Sequence, residues 1–326
     1  MFVKMIVPKL FLHIGVNKTG TSYIQYILSL NYYRLVQEGF LYPLSGRSAD
    51  AHYELSYSFG FSHGSSKPEF RKLEIINDNL LEEIKRTNTG NIIISSEYFM
   101  LPKDIDNIKL IKDFFEKFDC HVVIYLRRHD YWWQSNYSQA VKTVRFPPWG
   151  MGFEEYYKYQ KKKNFKFWSY KRLVDDWAKV FGREKLIIRS YEDGLDMNIV
   201  DDFTRVLGIK RNCLNVPQKR LNESLSYYSI LLLDIYQRLN IPDQILNLLI
   251  NHALLIKKHK GNFLSPQRRR ELVLENIRDY EYISQKYLGG RKLFKEYLPD
   301  PNEFWIPPEK PTIKDIIEES IKVILK

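Results

Sequence analysis

Three short apolar runs set the limits on what this chain can become: Lys9 to Gly15 (KLFLHIG), Asn91 to Ser95 (NIIIS) and His121 to Leu126 (HVVIYL). The last two are rich in β-branched residues and apolar at consecutive positions, which predicts strands buried on both faces, as in parallel sheets, and the first reads as a short strand running into a turn. Lys185 to Arg189 (KLIIR) offers one more strand. Between these runs the spacing turns helical. Ile24, Ile27 and Leu28 share one face from Thr21 onward, and Ile108 to Phe118 repeats the pattern. Strands alternating with helices predict an α/β fold with a doubly wound, mainly parallel sheet, whose ligands gather at the carboxyl ends of the strands.

Past about Asn198 the strand signal fades. Leu225 to Leu239 and Pro266 to Tyr287 read as helices, the second with Ser265 as N-cap and Pro266 at the first helical position. Thr312 and Asp315 form a capping-box pattern ahead of an amphipathic stretch carrying Ile313, Ile317, Ile321 and Ile324. No segment is rich enough in Pro, Gly or Ser to be a linker. The expected organisation is one domain over 1–326: an α/β core at 1–197, and a mostly helical extension at 198–326 packed on it.

Among 326 residues, 44% are hydrophobic, enough to bury a core and to exclude disorder as the main state. Lys and Arg number 50 against 39 Asp and Glu, a net charge of +11 that favours an anionic partner. Cys120 and Cys213 are too few for a disulfide framework or a four-ligand zinc site, and the seven histidines lack zinc spacing. An apolar start with Lys4 invites a leader-peptide reading, but Pro8 and Lys9 interrupt it. No run of about 18 apolar residues occurs, so a soluble, cytoplasmic protein is expected.

Gly15-Val16-Asn17-Lys18-Thr19-Gly20-Thr21-Ser22 joins the first strand to the first helix. Glycines let the backbone turn tightly toward an anion, and the helix start aims N–H groups and a positive dipole end at it. Lys18 adds a charge; Thr21 and Ser22 add hydroxyls. This P-loop-like cradle departs from the nucleoside-triphosphatase pattern, in which lysine follows the second glycine. Here Lys18 precedes Gly20.

Arg127-Arg128-His129-Asp130 follows the HVVIYL run, and Tyr131 to Lys142 reads as a helix. Arg127 thus stands at a strand's end, and Ser135 lies about two turns along. A guanidinium and a hydroxyl converging on one phosphate is sound chemistry, since Arg binds phosphate bidentately.

Together these segments resemble the PAPS-dependent sulfotransferases, in particular their bacterial carbohydrate-type branch. The family's K-[TS]-G-T-[TS] loop stands here as Lys18-Thr19-Gly20-Thr21-Ser22, and its Arg with a Ser eight residues on as Arg127 and Ser135. Further likeness lies in Ser95-Ser96-Glu97, Tyr125 to Arg128 and Asn222-Glu223-Ser224-Leu225, over roughly residues 10 to 290. His129 departs from the Gln or Asn often found there. The resemblance implies in-line transfer of a sulfuryl group from PAPS (3′-phosphoadenosine 5′-phosphosulfate) to a hydroxyl of a saccharide, glycolipid or related acceptor, releasing PAP without a metal. It implies that Lys18 stabilises the leaving phosphate, that Thr19, Gly20, Thr21 and Ser22 hold that group, and that Arg127 and Ser135 anchor the 3′-phosphate. Arg220 and Asn222 are candidates to close over the nucleotide.

A hydroxyl acceptor needs a general base. Glu97, just past the NIIIS strand, occupies the place where cytosolic family members carry a catalytic His. Its other reading is a carboxylate paired with Lys18 or Arg128. His52 is the rival base, with an ordinary pKa better suited to neutral pH. Lys161-Lys162-Lys163 with Phe165, Lys166, Phe167 and Trp168 could grip a polyanion, although a solvated helix end is the expectation, as it is for Arg268 to Arg270. Trp132 and Trp133 are expected to divide between core and cleft wall, and Asp201-Asp202 to lie on a helix surface or cap. Two other function classes fit the charge and the loop: a P-loop nucleotide kinase, and a non-catalytic basic polyanion-binding module. Nucleic acid is not expected as a partner.

Overall fold

The computed structural model describes residues 7–61, 72–100, 104–163, 169–192, 198–217, 225–256, 258 and 261–324. Arg220 and Asn222, and the segment Phe165 to Trp168, lie outside the described residues. Contacts divide the chain into two compact units, one made of 1–127, 166–219 and 278–295, the other of 128–165, 220–277 and 296–326.

Among the described residues the first unit holds five strands: β1 (Lys9–His13), β2 (Phe40–Leu41), β3 (Asn91–Ser95), β4 (Asp119–Leu126) and β5 (Leu186–Ser190). They form one parallel sheet in the order β2-β3-β1-β4-β5, as the α/β expectation requires. Leu12 pairs with Ile94 on one side and Val122 on the other, so the three strongest apolar runs lie side by side. On one face, Phe11, Ile93, Val123 and Tyr125 join a core with Ile24, Ile27 and Leu28 of helix α1 (Thr21–Leu30) and with Ile199, Val200 and Phe203 near residue 200. The alternate positions Leu10, Leu12, Ile92, Ile94, Val122 and Ile124 are fully buried too. Burial of both faces explains why these strands are apolar at every position. At roughly 1.5–3 kcal/mol per large apolar side chain, this burial is the main stabilising term.

Short helices α2 (Tyr32–Gln37) and α3 (Tyr53–Ser58) and the longer α4 (Leu73–Thr87) lie between β1 and β3. Next comes α5 (Ile105–Phe114), which begins three residues before the expected Ile108 because Asp104 and Asn107 close a capping box. The second unit is helical: α6 (His129–Thr143), α7 (Phe153–Lys162), α10 (Tyr227–Tyr236), α11 (Asp243–Leu255), α12 (Pro266–Leu274) and α14 (Ile313–Ile324). The first unit also contains α8 (Tyr170–Phe181) and α9 (Ile199–Leu207), and helix α13 spans Ile277–Tyr287.

Several expectations are corrected. Pro266 to Tyr287 is two helices, α12 and α13, because the Asn276 side chain donates to Leu272 O at 3.0 Å and terminates the first. Trp132 and Trp133 are both core residues, 1% and 2% exposed. Arg269 is buried, paired with Asp130 at 2.9 Å and Glu303 at 2.6 Å, so the Arg268 to Arg270 run is no solvated face. Arg268 pairs with Glu154 and Glu271. The Thr312–Asp315 capping box forms as expected, with Thr312 N donating to Asp315 at 2.8 Å and Asp315 N to Thr312 Oγ1 at 3.2 Å. Among the described residues, no helix is long and apolar enough to cross a membrane.

Asp202 is also corrected: it is fully buried in α9, where it accepts from Tyr125 at 2.9 Å, Arg189 at 2.6 Å and Arg205. Burial alone would raise its pKa, but the hydrogen bonds from Arg189, Tyr125 and Arg205 hold it below the ordinary 3.8. A carboxyl with a depressed folded-state pKa stabilises the fold fully above its unfolded value. That contribution is lost as pH falls below about 4. Asp202→Asn is expected to lower stability at neutral pH by about 1.5–3 kcal/mol and to flatten the acid limb of the urea midpoint between pH 5 and pH 2, measured by circular dichroism.

Candidate active site in the first unit

β1 ends at His13, but its backbone continues along β4. Ile14 N donates to Val123 O at 3.1 Å, Tyr125 N to Gly15 O at 2.7 Å, and Val16 N to Tyr125 O at 2.8 Å. The loop is therefore an extension of the sheet that bends only after Val16. Gly15 has φ +91° and lies against Glu97, where an added Cβ would stand 3.3 Å from the Glu97 Cα. Gly20, the N-cap of α1, has φ +74°, and its missing side chain leaves room for Tyr191 and Ile199. Lys18 also takes the left-handed region, at φ +63°, an uncommon state for a residue with a Cβ.

Thr19 is buried, and its hydroxyl donates to Val16 O at 2.6 Å. Its contribution to a ligand is thus its N–H. Among the described residues, the N–H groups of Thr19, Gly20, Thr21 and Ser22 have no hydrogen-bond partner. Four such donors at a helix start, with the positive dipole end behind them, are suited to an anion with several oxygens. Ser22 is exposed and Lys18 half-buried.

Arg127 leaves the end of β4 and reaches this loop. Its Nη1 donates to Lys18 O at 2.8 Å, its guanidinium lies 4.9 Å from the Tyr191 ring centroid, and Glu192 is 3.8 Å away. Tyr170 OH donates to Arg127 O at 2.7 Å and fixes the backbone there. The first unit thus brings Lys18, the loop amides and Arg127 together. Ser135, half-buried on α6, belongs to the second unit.

Glu97 begins a short 3-10 turn, Glu97–Met100, immediately beyond β3. Arg128, one of the two partners considered for it, bonds Asp130 at 2.7 Å. Glu97 instead accepts from Gln25 Nε2 at 3.0 Å and from Tyr53 OH at 2.8 Å. Gln25 also donates to Ser95 Oγ at 3.2 Å, which in turn bonds His13 Nδ1 at 2.8 Å. Burial pushes the His13 pKa down to about 3, so this imidazole is neutral. Asn17 N to Met100 Sδ, at 3.1 Å, ties the loop to the same turn.

His52 serves differently from the expectation. It is fully buried; Ser95 N donates to its Nδ1 and its Nε2–H donates to Pro43 O, both at 3.1 Å. Burial, aided by the Arg47 charge, lowers its pKa to about 3. With both ring nitrogens occupied it fixes the chain rather than taking a proton. Lys161 pairs with Glu275 at 2.9 Å and Lys163 lies over the Tyr159 ring, as a helix end would. The residues missed from sequence are Gln25, Tyr53, Tyr191 and Arg47. Only Gln25 carried a signal, as a polar residue on the apolar face of α1.

No family model matches this chain. It is 29% identical over 222 residues to an uncharacterized protein of Archaeoglobus fulgidus, a stretch covering 67% of this chain and 57% of that one. The chain thus spans less than two thirds of that relative. Among solved structures it is similar to a sulfotransferase from Alicyclobacillus acidocaldarius, with 18% identity and a TM-score of 0.40 over 71% of this chain and 94% of that one.

The left-handed positions of the loop generate opposite expectations. Gly20→Ala should lower stability by about 1–2 kcal/mol, because alanine is strained at that φ and its methyl displaces Tyr191 or Ile199. Lys18→Gly relieves the same strain and should leave stability unchanged or raise it by up to about 1 kcal/mol. Urea denaturation of both variants checks the pair.

Proposed function

We propose that this chain is a sulfotransferase that moves a sulfuryl group from PAPS to a hydroxyl of a saccharide, glycolipid or related acceptor. The observation that carries the reading is the conjunction at the end of β1. Four partnerless N–H groups and Lys18 stand at one helix start, Arg127 reaches the same loop through Lys18 O, and a held carboxylate, Glu97, stands at the end of the neighbouring strand.

In this reading the loop amides grip the 5′-phosphosulfate, and Lys18 neutralises charge gathering on the bridging oxygen as its bond to sulfur breaks. Arg127 takes the 3′-phosphate, with Ser135 assigned to the same group by the family resemblance alone. The acceptor oxygen forms its bond to sulfur on the side opposite the leaving phosphate and gives its proton to Glu97. Positioning and charge neutralisation then supply most of the rate, as in phosphoryl transfer. Glu97 suits the base role better than His52, whose nitrogens are already engaged. Gln25 and Tyr53 each donate to one carboxylate oxygen and fix the group in place, and each oxygen keeps a further lone pair for the acceptor's proton.

Thermal unfolding with PAP, and separately with ATP and magnesium, is the test. PAP at about 100 times its dissociation constant should stabilise by roughly 2.7 kcal/mol, a shift of a few degrees, without magnesium. Lys18→Ala and Arg127→Ala should each weaken PAP about tenfold to a hundredfold, the value of a charge-assisted hydrogen bond. Glu97→Gln should keep PAP affinity and lose about 10²–10⁴ in transfer. Stabilisation by ATP with magnesium alone would overturn the reading in favour of a kinase.

A further inference from the structure

Arg47 has no place in the chemistry above, yet it is the least explained cation of the first unit. Its Nη1 is buried without a hydrogen-bond partner, and among the described residues no carboxylate pairs with it. A buried guanidinium nitrogen left unmatched is costly, and in native structures such groups call for a missing partner. The side chain is not loose. Its guanidinium lies 5.2 Å from the Tyr42 ring centroid.

The backbone that carries it is anchored at several points. Glu83, itself buried, accepts from Leu44 N at 3.0 Å and from Ser45 N at 3.3 Å. Gly46 has φ +70°, and an added Cβ would stand 2.8 Å from Leu55 Cβ, so the chain is pressed onto α3. Tyr42 OH donates to Asp50 O at 2.5 Å, and His52 fastens the far end to Pro43 and Ser95. This segment leaves the carboxyl end of β2, the side of a parallel sheet on which ligands bind. Its last residue before α3 precedes Tyr53, the donor to Glu97, and Tyr42 feels both the Arg47 and the Glu97 charges.

We infer that Arg47 receives an oxyanion of the acceptor, so that the substrate is an acidic saccharide carrying a carboxylate or an already installed sulfate ester near the reacting hydroxyl. This rests on the sulfotransferase reading for what the acceptor is, while the anion site itself does not. A planar guanidinium suits either group. Glu83 lies against the same segment but is committed to its backbone amides and to Tyr32, so it does not supply the anion.

The test reads the Arg47 side-chain resonance by nitrogen NMR of arginine-labelled protein, assigned by its loss in Arg47→Lys. Sodium glucuronate, sodium sulfate and neutral glucose are titrated separately at matched ionic strength, and PAP in a fourth arm. The expected result is a saturable shift of that resonance with glucuronate or sulfate and none with glucose. The responding anion tells a uronic acid from a sulfate ester. Arg47→Gln, folded by circular dichroism, should weaken the responding anion at least about tenfold and leave PAP binding unchanged. No response to either anion, or a response to PAP, would overturn the inference. If PAP fails to bind while Arg47 still responds, the donor reading falls and the anion site stands.

Discussion

The two hydrogen bonds between Tyr125 and the chain at Gly15 and Val16 decide where the whole anion loop stands. They carry the β1 backbone three residues past its own strand along β4, so the turn begins at a height set by sheet register rather than by the loop's own preferences. Tyr125 does more than supply amide and carbonyl. Its ring packs into the core with Ile24 and Phe203, and its hydroxyl ends on buried Asp202 of α9. The loop's other wall, Ile199, opens that same helix and lies against Gly20. Sheet, helix and loop therefore share one set of contacts, and displacing any of them moves the donors that face an anion.

A second chain of contacts runs across the end of the sheet, through His13, Ser95, Gln25, Glu97 and Tyr53. Each member lies within or beside low-dielectric surroundings, where a satisfied hydrogen bond is strong and an unsatisfied one is costly. Neutral His13 is what allows this network to exist next to an apolar core, because a protonated imidazole there would lack solvation. Gln25 is the joint between the two chains: it sits on α1, whose first turn faces the anion position, and it bonds the carboxylate directly. The loop amides and the held carboxylate are thus attached to the same helix.

The strands and the loop were readable from sequence because their signals are local. An apolar run declares its burial, and glycine next to a polar turn declares a bend. Element ends and partners were less readable. The two residues of β2 are too few to show a period, and the break between α12 and α13 depends on one asparagine side chain. The partners of Glu97 come from 72 and 44 residues away, so nothing beside Glu97 could indicate them. Asp202 looked like a surface acid because its neighbour Asp201 is one; its burial is set by Tyr125 and Arg189 from two strands. His52 was read as reactive from its side chain, whereas its role follows from a fit between β2 and β3 visible only when they are side by side.

The loop separates residues that shape it from residues that face outward. Gly15, Thr19 and Gly20 are required by close approach or by an internal hydrogen bond, while Lys18 is held in a backbone state that glycine would occupy more comfortably. Divergence would act on the two groups unequally. A lineage freed from selection for chemistry would shed the lysine early, since its backbone state favours glycine, and keep the glycine skeleton for long afterwards. Among distant relatives, an intact glycine pattern would then report ancestry, and the residue between Asn17 and Thr19 would report whether the proposed chemistry is retained.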